Sequence, residues 1–95
     1  MNIVKLQGNI SNEVAIKVDK NDSSFLHVDL LVQEENNKEI LIKCVAFGKI
    51  AELINEKFSR NDSITIEGKI NSFKPKNSRF ENDVKMNIVI NNVEL

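Results

Sequence analysis

The sequence predicts an all-β fold, a five-stranded barrel with one helix between its third and fourth strands. Three observations predict it. Apolar residues recur two apart through five separate segments, the period of a strand with one buried face. Only the stretch between Gly48 and Ser59 switches to helical spacing. Gly8 and Gly68 fall on the apolar side of their strands, as expected where a tightly coiled strand turns a barrel corner and has no room for a Cβ.

Met1–Ile10 alternates, with Val4, Leu6, Gly8 and Ile10 on one side and Lys5, Gln7 and Asn9 on the other. A polar stretch follows, with a short extension at Val14–Val18 and a turn at Asp19–Ser24. Phe25–Gln33 reads as the second strand through Leu26, Val28, Leu30 and Val32, and Glu34–Lys38 (EENNK) as a hairpin tip. Ile40–Phe47 is the third strand. Its Ile40, Ile42, Cys44 and Ala46 form the purer apolar face and should point inward, which turns Leu41, Lys43, Val45 and Phe47 outward. Ile50, Leu53, Ile54 and Phe58 then make the apolar stripe of a three-turn helix, opposite Glu52, Asn55, Glu56 and Lys57. Arg60–Asp62 supplies the exit turn. Ser63–Ser72 resumes alternation through Ile64, Ile66, Gly68 and Ile70, the polar segment Phe73–Asp83 carries Lys74, Lys76 and Arg79, and Val84–Leu95 is the last strand. Strand, strand, strand, helix, strand, strand is the order of an OB-fold, whose helix plugs one end of the barrel.

Ninety-five residues suffice for one such unit, 1–95. No apolar run is of membrane-spanning length, and the N-terminus has no charged and apolar leader pattern. With one cysteine, Cys44, no internal disulfide can form, which fits a reducing compartment and a cytoplasmic protein. His27 and Cys44 are each single, so no metal site is expected. No P-loop is present, and no nucleophile–base set supports an enzyme reading; neither cofactor nor small-molecule substrate is expected. The net charge of −1 excludes a strongly basic nucleic-acid binder, yet phosphate binding depends on where the lysines sit rather than on their sum.

Three blocks carry a family resemblance. Ile42-Lys43-Cys44-Val45-Ala46-Phe47-Gly48-Lys49-Ile50-Ala51-Glu52 resembles the passage from third strand to helix in bacterial single-stranded DNA-binding proteins. Met1–Ile10 resembles that family's opening strand, and Ile64-Thr65-Ile66-Glu67-Gly68-Lys69-Ile70 its fourth. The blocks fall in the family's order and cover nearly the whole chain. The chain departs from the pattern in having no Trp or Tyr, in Leu41 where relatives often carry an aromatic, and in Ser11-Asn12-Glu13-Val14 where they have Asp-Pro-Glu. It also stops at Leu95, without the acidic tail that recruits other enzymes, so a minimal or divergent member, bacterial or phage, is expected.

The resemblance implies non-catalytic binding of single-stranded DNA in replication, recombination or repair. It also implies a nucleoid location and a homo-oligomer, dimer or tetramer, built on the sheet surface that includes the first strand. It places a base-stacking ring at Phe47 and phosphate contacts at Lys43 and Lys49. Strand alternation adds Lys69 and Phe73 on the fourth strand and Lys5 on the first, all facing outward. The segment after Phe73 adds Lys74, Lys76 and Arg79, with Phe80 at its far end, as a basic flap. Other readings stay open at this point: Phe47 as the edge of the core, Phe73 as a subunit contact, Phe25 as either core or surface. An OB-fold interaction module with weak nucleic-acid binding, or an RNA binder, would share the same pattern.

Overall fold

A computed structural model describes residues 1–76, 79 and 83–95. The five expected strands are β1 (Val4–Ile10), β3 (Ser24–Gln33), β4 (Glu39–Phe47), β5 (Ser63–Phe73) and β6 (Lys85–Glu94); α1 spans Gly48–Lys57. The short extension is β2 (Lys17–Val18), paired to the start of β3. Neighbours run β1–β5–β6–β4–β3, and β1 returns to β3 through Asn9↔Leu31 and Ile10↔Leu30, closing the barrel. All pairings are antiparallel except β4–β6, which meet in parallel at Cys44↔Ile88 and Val45↔Val89. This is the OB-fold.

The β3–β4 hairpin turns on Asn36 and Asn37, at φ 63° and 61°. That left-handed region is costly for most side chains and least so for Asn among the non-glycine residues. The alternating apolar faces meet inside: Ile10, Leu26, Val28, Leu30, Cys44, Ala46, Ile64, Ile66, Ile88 and Ile90 are buried. Helix α1 contributes Ala51 and Ile54, both fully buried, and Phe58 at its C-terminus packs against the same cluster. Burial of Ile54 alone is worth about 1.5–3 kcal/mol. The exit turn is fastened to the end of β1, because Ile10 N–H donates to Asp62 O (2.9 Å) and Asn61 N–H to Ile10 O (2.8 Å).

The alternation through Ile70 and Met86 does not continue the core. Past a bulge at Glu67/Gly68, β1 no longer pairs with β5, and beyond Ile70↔Ile88, where β6 still meets β4, β5 and β6 run on as a two-stranded arm from Asn71↔Asn87 to Phe73↔Lys85. Among the described residues nothing closes over the arm's inner face, and Ile70 (45%) and Met86 (68%) are exposed. Asn2 splices the chain ahead of β1 onto this arm: its Nδ2 donates to Ile70 O at 2.9 Å and its Oδ1 accepts from Ile70 N–H at 3.0 Å. Among the described residues, no helix is long and apolar enough to cross a membrane.

Cys44 has the inward position expected of it, and burial, with the Asp29 carboxylate adding to it, pushes its thiol up from 9.0 to about 12. The thiolate is the reactive form, so native protein should resist maleimide or iodoacetamide at pH 8 and react only once unfolded. The folded state holds this proton more tightly than the unfolded one. The group's contribution to stability is therefore complete below pH 9 and lost as pH rises toward 12. Denaturant melts at pH 7 and pH 10.5, on wild type and Cys44→Ala, check this; the expected excess loss in wild type at high pH should vanish in the variant.

Candidate nucleic-acid interface

The outward faces of β3, β4, β6 and the β5 arm form one concave surface. The register of the β3–β4 hairpin sets Phe25 opposite Phe47 and His27 opposite Val45. Parallel pairing sets Val45 beside Val89, and the arm sets Val89 beside Lys69, Asn87 beside Asn71 and Lys85 beside Phe73. These side chains except Lys85, with Asp19 at one margin, line a hollow of about 670 Å³. A second hollow of about 450 Å³ shares His27, Phe73 and Asn87 with the first and adds Asn12, Asp29, Lys43, Lys85 and Met86. The two make a continuous groove with rings at both ends of its wider part. Phe47 is 52% exposed and Phe73 42%, so neither belongs to the core. The Phe25 and His27 rings meet edge to face, 5.8 Å between centroids at 86°, which fixes a third aromatic wall.

Charge in the groove is mixed. Lys43 Nζ lies 3.0 Å from Asp29 Oδ2, and the lysine remains 64% exposed. Such a solvated pair is worth about 0–1 kcal/mol, so a phosphate can compete for the ammonium. Asp19 Oδ1 accepts the N–H groups of Asn21 (2.8 Å) and Ser23 (3.0 Å), so its carboxylate serves the turn ahead of β3. Two exposed rings, three lysines (Lys43, Lys69 and Lys85) and three amides (Asn12, Asn71 and Asn87) share one surface.

The model of the single-strand binding protein family matches residues 1–95, the whole chain. The chain belongs to this family. The crystal structure of the SSB domain of a Synechococcus sp. protein is similar over 100% of this chain and 96% of that one, with a TM-score of 0.78 and 14% identity. At that identity the likeness speaks for the OB-fold alone. Among curated proteins, none matches the chain significantly by sequence.

In this member of the family the sequence-selected residues do not all converge. Phe47, Lys69 and Phe73 line the wider hollow, and Lys43 the adjoining one. Lys49 is exposed in the first turn of α1, and Lys74, Lys76 and Arg79 are exposed after β5; none of these four lines the groove. Phe80 lies outside the described residues. Lys5 faces outward but elsewhere, opposite Glu67 and in a small depression that also holds Glu94. Residues that alternation alone had left aside enter instead: Phe25, His27, Asn12, Asp29, Lys85 and Asn87.

Proposed function

We propose that the chain binds single-stranded DNA along this groove, without strict sequence requirement, and catalyses nothing. One observation carries the reading: Phe47 and Phe73, two large apolar rings with solvent-exposed faces, stand across a single concavity bordered by lysines. A base accepts such a ring as a stacking partner whatever its identity, at about 1–3 kcal/mol per base by truncation, while lysines follow the phosphates. On this reading Lys43, Lys69 and Lys85, which line the groove, would meet the strand inside it, and the exposed Lys49, Lys74, Lys76 and Arg79 would meet its continuation. The protein would coat exposed strands and hinder duplex re-formation and nuclease attack during replication, recombination or repair, in the cytoplasm at the nucleoid.

Self-association belongs to the proposal. One edge of β1 is paired to β5 from Val4 to Asn9, but the other pairs with β3 only at Asn9 and Ile10, which leaves Val4–Gln7 an edge without a ladder partner among the described residues, open to a second copy. Anisotropy titrations with labelled oligo-dT, oligo-rU and duplex DNA at several salt concentrations test the binding. Single-strand preference is expected, with a log–log salt slope of about −0.7 per phosphate neutralised. Equal affinity for duplex would overturn the reading, and preference for oligo-rU would move it to RNA. Light scattering in the same buffer gives the subunit number, and a monomer would remove the self-association.

A further inference from the structure

The narrower part of the groove carries a row of polar side chains that suits something other than phosphate. Asp29 comes from β3, Lys43 from β4, and Lys85 and Asn87 from β6, while Asn71 of β5 adjoins Asn87 in the wider part. Lys43 donates to Asp29 Oδ2 at 3.0 Å, and Asn71 Nδ2 donates to Asn87 Oδ1 at 3.4 Å. Of the hollow's two ammoniums, Lys43 is matched by the Asp29 carboxylate, and Lys85 has no ion pair among the described residues. A phosphate can compete for Lys43 or meet Lys85, but it is repelled by Asp29, so the carboxylate itself is left for a hydrogen-bond donor.

Asp29 is also held where it is for reasons independent of Lys43. Its N–H donates to Asn12 Oδ1 at 2.8 Å, and its carbonyl accepts from the Ser11 N–H and Oγ, both at 2.9 Å. Asn12 Nδ2 in turn donates to His27 O at 2.9 Å, so one side chain staples the backbone of β3 on both sides of Val28. Among the described residues only Oδ2 of the carboxylate has a hydrogen-bond partner, which leaves Oδ1 an open acceptor in the hollow that Phe73 and Asn87 also line. An acceptor on a stapled stretch of strand, in a hollow that a stacking ring also lines, matches the edge of a base that carries an amino group. Aspartate accepts from the cytosine N4 amino group, whereas thymine offers a carbonyl at that position, another acceptor.

We infer that Asp29 reads base edges: it accepts a hydrogen bond from the exocyclic amino group of a base held in the groove and biases binding toward amino-bearing bases over thymine. The inference rests on the single-stranded DNA reading above. The bias is modest and is superimposed on binding that accepts any sequence.

Oligo-dC and oligo-dT of equal length, both pyrimidines, titrated at one salt concentration and slightly alkaline pH, provide the test. Wild type should bind oligo-dC about 5- to 10-fold more tightly, the lower end of the discrimination that one base-edge contact supplies. Asp29→Asn keeps the shape, removes the charge and can donate to the thymine carbonyl. It should bring the ratio to about 2 or below by raising oligo-dT affinity. Lys43→Gln should weaken both oligomers while keeping the preference. If Asp29 only tethers Lys43, both substitutions will move oligo-dC and oligo-dT in equal proportion, and an unchanged ratio in Asp29→Asn overturns the inference. A protein that binds neither oligomer would instead overturn the DNA-binding reading itself.

Discussion

Replacing Phe47 and Phe73 together with alanine is expected to lower affinity for single-stranded DNA by roughly 30-fold to 10⁴-fold, two stacking contacts at about 1–3 kcal/mol each. The rings have little else to do. Phe47 sits at the junction of β4 and α1 with half its surface in solvent, and its side chain makes no cap hydrogen bond to the helix. Phe73 ends β5 on the arm, beyond the last residue of the barrel core on that strand, with Lys85 as its cross-strand neighbour. Neither truncation opens a cavity in the core, so the melting temperature of the double variant should stay close to wild type while binding collapses. Each single variant should lose a part of the affinity, and a sum that falls short of the double would mean that both rings clamp the same base. Affinity within twofold of wild type in the double variant would remove the rings from the binding surface. If the oligomeric state changed instead, the rings would be subunit contacts.

The barrel was legible because its signals are local. Period-two alternation tells a residue whether it points into the barrel or out, and a change to period 3.6 marks the helix. The inward faces of β3, β4 and β5 up to Gly68 followed from this directly, as did the outward turn of Lys69 and Phe73. Alternation does not say toward which side of a closed barrel an outward residue looks. That is why Lys5 seemed equivalent to Lys69, yet lies beside Glu67 and Glu94 on a different part of the wall. It also does not say where the barrel ends, so Ile70 kept the core phase after the core had stopped.

Phe25 was legible with one more step. A hairpin folded about Asn36 pairs residues equidistant from it, which sets Phe25 against Phe47 without any coordinates. Asp29 and Asn12 were not legible. Their meeting depends on how the chain between β1 and β3 lies over the barrel, and no periodicity records that path.

Gly8→Ala and Gly68→Ala are each expected to cost about 3 kcal/mol or more, at the upper end of what an overfilled interior produces. A Cβ at Gly8 would lie 2.3 Å from the Leu31 carbonyl oxygen and 2.9 Å from its carbon; at Gly68 it would lie 2.2 Å from the Val89 carbonyl oxygen. These are backbone atoms of neighbouring strands, with no side-chain rotamer to move aside, so the strands themselves must part. A domain of this size loses about 4–8 °C of melting temperature per kcal/mol, so each variant should melt roughly 12 °C or more below wild type.

The two should differ in function while resembling each other in stability. Gly8 presses on Leu31, which lies outside the ring-lined groove, whereas Gly68 presses on Val89, which lines it and pairs with Lys69. Below its melting point, Gly8→Ala should bind single-stranded DNA nearly as wild type. Gly68→Ala should bind several-fold more weakly, because moving β6 off β5 shifts the arm that carries Phe73. Thermal melts within two or three degrees of wild type for both variants would show that the strands yield without cost. Equal affinities in the two folded variants would show that the position of the arm does not govern the groove.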